Sequence, residues 1–130
     1  MIKAVFFDLY GTLAGFKPSR HELQAQACAD FNLEVTPRGI LLGYAAADAY
    51  MSEQNAISPV RLRDSSEQDK FFANYERLVL RGDGIELEDV LALEIFRRLS
   101  RVPYELTTFD DVVPTLQVLR RQSLKLGLIS

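Results

Sequence analysis

Asp8, Tyr10, Gly11 and Thr12 are chemically capable residues packed into one short stretch near the N-terminus. They follow directly on the apolar run Val5-Phe6-Phe7. A carboxylate in such a place can act as a covalent nucleophile, forming an aspartyl-phosphate or an ester, and its second oxygen can bind a hard cation. Gly11 lets the backbone turn sharply under a ligand. Thr12 offers a hydroxyl and a backbone N–H to an anionic oxygen, and the amides after it can form an anion-binding concavity. Tyr10 brings a phenol whose ordinary pKa is about 10, which makes it a poor base at neutral pH. At the far end of the chain, Leu126-Gly127-Leu128-Ile129-Ser130 is a second apolar run that stops at a hydroxyl.

These side chains need strand tips to hold them. Ile2 to Phe7 reads as a strand that is continuous rather than alternating, and so buried on both faces. Leu124 to Ile129 reads as a second buried strand. Open α/β sheets bind their ligands beyond the carboxyl ends of such strands. Residues 9–18, with Gly11, Gly15 and Pro18, read as a loop. Ser19 with Glu22 forms a capping box for a first helix, with Leu23, Ala27 and Phe31 on one face. Thr36-Pro37 starts a second, reaching about Gln54. After a connector over 55–64, Ser65 with Gln68 forms another capping box. It opens a third helix to about Leu80 that presents Phe71, Phe72, Tyr75, Leu78 and Val79. Gly82-Asp83-Gly84 breaks it. A fourth helix spans Leu87 to Leu99, with Val90, Leu91, Ile95 and Leu99 on its apolar side. A fifth, capped by Asp110 or Asp111, turns Val113, Leu116 and Leu119 inward. The order of strand, four helices, helix and parallel strand describes one large crossover with a helical insertion.

The remaining polar residues have simpler structural readings. Helix capping accounts for Asp110-Asp111 better than a metal site does. His21 follows a helix start, Cys28 lies among alanines in mid-helix, and no His or Cys cluster has metal-ligand spacing. The 130 residues amount to about one domain, 48% hydrophobic and 25% charged, the balance of a soluble globular protein. A net charge of -3 with scattered Lys and Arg leaves no footprint for nucleic acid. No apolar run approaches the roughly 20 residues of a membrane span, and no signal peptide is visible. The single cysteine excludes an internal disulfide and points to a reducing, cytoplasmic setting.

The string from Val5 to Leu13, together with Leu126 to Ser130 behind a helix, resembles the first two motifs of the haloacid dehalogenase-like hydrolases. The resemblance implies an α/β fold: a partial Rossmann-like parallel core with two strands present, made of residues 1–15 and 104–130, and an inserted α-helical cap over 16–103. It implies catalytic roles for Asp8 as nucleophile and for Tyr10, Thr12 and Ser130. Gly11, Thr12 and Ser130 would hold the substrate, with Arg38 reaching from the cap. Mg²⁺ would sit on Asp8 and the main-chain carbonyl of Tyr10. Tyr10 stands where phosphatase members carry a second Asp as acid and base, whereas the family's 2-haloacid dehalogenases carry Asp-x-Tyr-Gly-Thr.

Two activities therefore stay open. One is Mg²⁺-dependent hydrolysis of a small phosphorylated metabolite through an aspartyl-phosphate on Asp8. The other is metal-free displacement of halide from a 2-haloacid through an Asp8 ester. The family's Lys and later acidic residues lie beyond the second motif, where this sequence stops. It reads as truncated there, weak or inactive on its own, with a partner chain or a C-terminal half completing the core. The third reading is a non-catalytic fragment or interaction module. No motif in the insertion names the substrate.

Overall fold

A computed structural model describes residues 1–129 and shows a mixed α/β protein. The chain divides into two compact units: Met1–Ser19 together with the stretch from Tyr104 onward, and Arg20–Pro103 between them. Among the described residues, no helix is long and apolar enough to cross a membrane.

The first unit holds two small sheets. Strand β1 (Ala4–Asp8) pairs in parallel with β4 (Lys125–Ile129), so that Phe6 faces Gly127 and Asp8 faces Ile129. Helix α5 (Val112–Arg121) precedes β4 and packs against it. Val112 is buried, and Phe7, Leu13 and Leu116 line a recess with it. The second sheet lies in what reads as loop from sequence. Strand β2 (Ala14–Lys17) pairs antiparallel with β3 (Glu105–Thr108), placing Lys17 opposite Glu105. Four residues centred on Gly15 carry little strand signal of their own. The ladder forms because a distant segment supplies the partner.

The burial expected of β1, β4, α5 and the fourth helix changes, with Leu128 and Ile129 of β4 exposed. β1 is not buried on both faces: Val5 and Phe7 are partly covered, while Phe6 is 64% exposed. Two strands and one helix cover a single face of the parallel sheet. The other face presents Phe6 and Ile129, with the Phe6 ring lying where a Cβ on Gly127 would fall. On α5 the inward residues are Val112, Leu116 and Leu119, and Val113 is exposed. The helix begins after Asp111, one of the two expected caps, and Val112 takes the inward place expected of Val113.

The second unit is helical: α1 (Arg20–Ala29), α2 (Pro37–Ile57), α3 (Ser65–Arg81) and α4 (Asp89–Leu99). Thr36 caps α2, its Oγ1 accepting from the Gly39 N–H at 3.0 Å. That hydroxyl also donates to Asp83, whose carboxylate takes the Thr36 N–H at 2.7 Å. The cap of α3 is Asp64, which accepts from the Glu67 N–H at 2.9 Å, rather than Ser65. Gln68 donates instead to the Arg63 carbonyl. A carboxylate outcompetes a hydroxyl one residue later because it meets the helix N-terminus with full charge. Val90 lies outside the apolar side of α4, which buries Ala92 and Ile95.

Helices α2 and α3 meet at backbone distance. A Cβ on Gly43 would stand 1.8 Å from the Val79 carbonyl oxygen, and one on Gly82 would stand 1.9 Å from the Gly39 carbonyl oxygen. Only glycine fits there, and the obstacles are backbone atoms that cannot rotate away. Around this crossing Ile40, Ala47, Phe71, Val79, Leu80 and Ile95 are almost wholly buried. Phe72 stacks on Phe96 at 4.3 Å. Gly43→Ala is expected to lower unfolding free energy by about 3 kcal/mol, the upper range for overpacking. Urea denaturation at neutral pH measures it, and a loss under about 1 kcal/mol would mean the helices separate at little cost.

Candidate functional site

Asp8 ends β1 and is exposed at the strand tip. Its position follows from the ladder: Asp8 is the last residue of β1 in register with β4, opposite Ile129. The chain then folds back at once. The Leu9 carbonyl accepts from the amides of Leu13 at 2.9 Å and Ala14 at 3.0 Å, with Thr12 at 3.4 Å, and the Gly11 amide donates to the Ala14 carbonyl at 2.8 Å. Gly11 has φ +79°, a left-handed conformation that other residues adopt at a cost. Open space surrounds its missing side chain, so the backbone angle alone calls for glycine.

This turn brings Thr12 back to Asp8. The Thr12 hydroxyl donates to Asp8 Oδ2 at 3.2 Å, joining two of the expected site residues. The expected amide concavity does not form after Thr12. The N–H groups of Gly11, Leu13 and Ala14 are turned into the loop's own hydrogen bonds, and Thr12 keeps the longest of the set. The Thr12 hydroxyl is committed to Asp8, and its N–H, held at 3.4 Å, is the least engaged amide of the turn.

Tyr10 projects from the same turn, 43% exposed. Its ring meets Phe16 of β2 at 5.0 Å, and Phe16 meets Tyr104 at 4.9 Å. The β2–β3 pair thus supports Tyr10 through an aromatic row that the sequence reading did not foresee. Asp111 is the N-cap residue of α5, as expected, but its side chain makes no cap hydrogen bond. Among the described residues, no group of three or more His, Cys, Asp or Glu is gathered that could hold a metal ion. Ser130 lies outside the described residues. Arg38 is exposed in the first turn of α2, in the other unit.

The helical unit carries polar groups that sequence reasoning missed. Arg20 grips Asp48 with both terminal nitrogens, at 2.8 and 3.1 Å, and the Tyr75 hydroxyl donates to the same carboxylate at 2.6 Å. The Arg20 guanidinium also lies 3.6 Å above the Tyr44 ring. Burial alone would raise the Asp48 pKa, but the hydrogen bonds from Arg20 and Tyr75 hold it below the usual value. Deeper in, Gln24 and Glu76 are fully buried. Cys28 is buried beside them, and loss of solvent pushes its thiol up to about 11. The available signal was a Gln next to Leu23 on α1 and a Glu next to Tyr75 on α3, both on apolar stripes.

Asp48 is stabilised in its ionised form, so its contribution is present above the unfolded-state pKa, about 3.9 for an aspartate, and fades as pH falls through the lower folded value. Asp48→Asn is expected to cost about 1 kcal/mol at pH 7, a modest figure because the half-exposed pair is screened by solvent. The variant's deficit should shrink as pH falls below the carboxylate range, which urea melts across that range would measure. No family model and no curated protein matches this chain.

Proposed function

We propose that the chain is a hydrolase of the haloacid dehalogenase-like type, with the first unit as a partial Rossmann-like core and the helical unit as its cap. The observation that carries this reading is the exposed Asp8 at a parallel strand tip, backed by a tight glycine turn that returns Thr12 to its carboxylate. The substrate would be a small phosphorylated metabolite. Asp8 would attack phosphorus, the alkoxide would leave, and water would then hydrolyse the aspartyl-phosphate. The Thr12 hydroxyl and Ser130 would orient the transferred group, with Gly11 shaping the turn beneath it. Arg38 would reach the substrate from the cap.

The Asp8 carboxylate and the Tyr10 carbonyl are oxygen donors of the kind Mg²⁺ takes, with waters and substrate phosphate completing its shell. When bound, the ion would neutralise charge between Asp8 and the phosphate. Tyr10 favours the second reading, a metal-free 2-haloacid dehalogenase, because halide leaves without a proton and a phenol is a poor base. The exposed Phe6 and Ile129 favour a core completed by further structure, either a C-terminal half or a partner chain. That supports weak activity from this chain alone. It also sustains the third reading, a non-catalytic interaction module.

Asp8→Asn should lower phosphate release from para-nitrophenyl phosphate by about a thousandfold, as expected for losing a covalent nucleophile. Chelator should abolish the wild-type rate under the phosphatase reading. Chloride release from 2-chloropropionate that survives chelator would shift the assignment to the dehalogenase. Equal rates for wild type and Asp8→Asn on both substrates would reject catalysis at Asp8.

A further inference from the structure

Three helices of the second unit meet on one buried polar cluster that the proposed hydrolase chemistry does not use. Gln24 of α1 and Glu76 of α3 have no exposed surface, and Tyr44 of α2 is 8% exposed. The Tyr44 hydroxyl donates to Gln24 Oε1 at 3.1 Å, which fixes the orientation of the amide. The Gln24 NH₂ then donates to Glu76 Oε1 and to Cys28 Sγ. Both amide hydrogens are committed, and Glu76 Oε2 is left buried with no hydrogen-bond partner.

The two protonation states of Glu76 differ in what they leave unsatisfied. Ionised, it places a charge on a sealed oxygen that one neutral amide cannot offset. Protonated, it leaves only one neutral hydroxyl donor unused, a much smaller penalty. Among the described residues, Glu76 forms no ion pair, and burial and the Gln24 hydrogen bond are what act on it. From α1 the facing groups are Gln24 and the Cys28 thiol, and from α2 the Tyr44 phenol. α4 turns inward with Ala92 and Ile95. The Arg20 guanidinium lies over the Tyr44 ring and pairs with Asp48, Arg77 pairs with Asp89 through one terminal nitrogen while its Nε is buried without a hydrogen-bond partner, and Asp83 is engaged by Thr36.

We propose that Glu76 is a proton lock: the helical unit holds α1, α2 and α3 together around a protonated Glu76 and loosens when that proton is lost. Burial pushes the Glu76 carboxyl up to about 7, outweighing the Gln24 hydrogen bond that favours the charged form. The folded pKa lies above the unfolded one, so the stabilising state is complete in acid and is lost as pH rises toward the folded value.

Urea unfolding of the full chain across this range tests the lock. Between pH 6 and pH 8 the folded-to-unfolded ratio should fall about tenfold. Glu76→Gln, which mimics the protonated acid, should be nearly flat over that interval and more stable than wild type at pH 8. His21→Asn removes the chain's one histidine and should leave the wild-type slope in place. A Glu76→Gln slope equal to wild type would overturn the proposal. Should that variant fail to fold, carbon-13 titration of the wild-type Glu76 carboxyl decides: a midpoint near neutrality supports the lock, and one near 4.5 overturns it.

Discussion

The pairing of β2 with β3 is the constraint on which the first unit depends. It sets Lys17 opposite Glu105, so the long stretch from Pro18 to Tyr104 begins and ends at the same place. Closing a loop of that length costs about 4 kcal/mol of chain entropy by the usual scaling, and the short antiparallel ladder must offset it. Once it has, β1 and β4 are separated from the neck only by short connections and α5. The parallel pairing that presents Asp8 then needs no further long-range search. The same neck holds Phe16 and Tyr104 together, and with them Tyr10.

The helical unit is built on two opposite devices at its centre. Backbone contact at Gly39, Gly43 and Gly82 brings α2 and α3 closer than side chains would permit. Glycines weaken a helix by up to about 1 kcal/mol each, so this close fit is stabilised by packing rather than by helix propensity. Around it, buried polar groups join α1 to α2 and α3, and α1 also packs on α4 and α2, with Leu23, Ala27 and Cys28 buried. The glycine contact is independent of pH, whereas the polar one is not. The surface ion pairs Arg97–Asp69 and Arg98–Asp30 lie in solvent and add little to either.

Local signals were legible in proportion to how local their causes are. Thr36-Pro37 announced α2, and Gly82-Asp83-Gly84 announced the end of α3, because capping and chain breaking are decided within a few residues. The two apolar runs announced β1 and β4 and their parallel pairing. β2 and β3 were hidden because a four-residue strand is made by its partner, which lies at the other end of the insertion. The inward faces of α4 and α5 went astray at Val90 and Val113, where the first turn of a helix offers apolar residues on both sides of the stripe. In the candidate site, Asp8, Gly11 and Thr12 were legible as a turn. The fate of the amides was not, since it depends on the Leu9 carbonyl gathering them inward. Gln24 and Glu76 escaped notice because a polar residue on an apolar stripe looks like an ordinary surface position until its neighbours are known.

Cys28 has a use that follows from its surroundings. It is the only cysteine in the chain, has no exposed surface and holds its proton far above neutral pH. A thiol reagent needs a thiolate it can touch, and the folded unit supplies neither. Labelling can therefore proceed only from molecules in which α1 has come away from its neighbours. The labelling rate counts those openings directly, without any engineered probe.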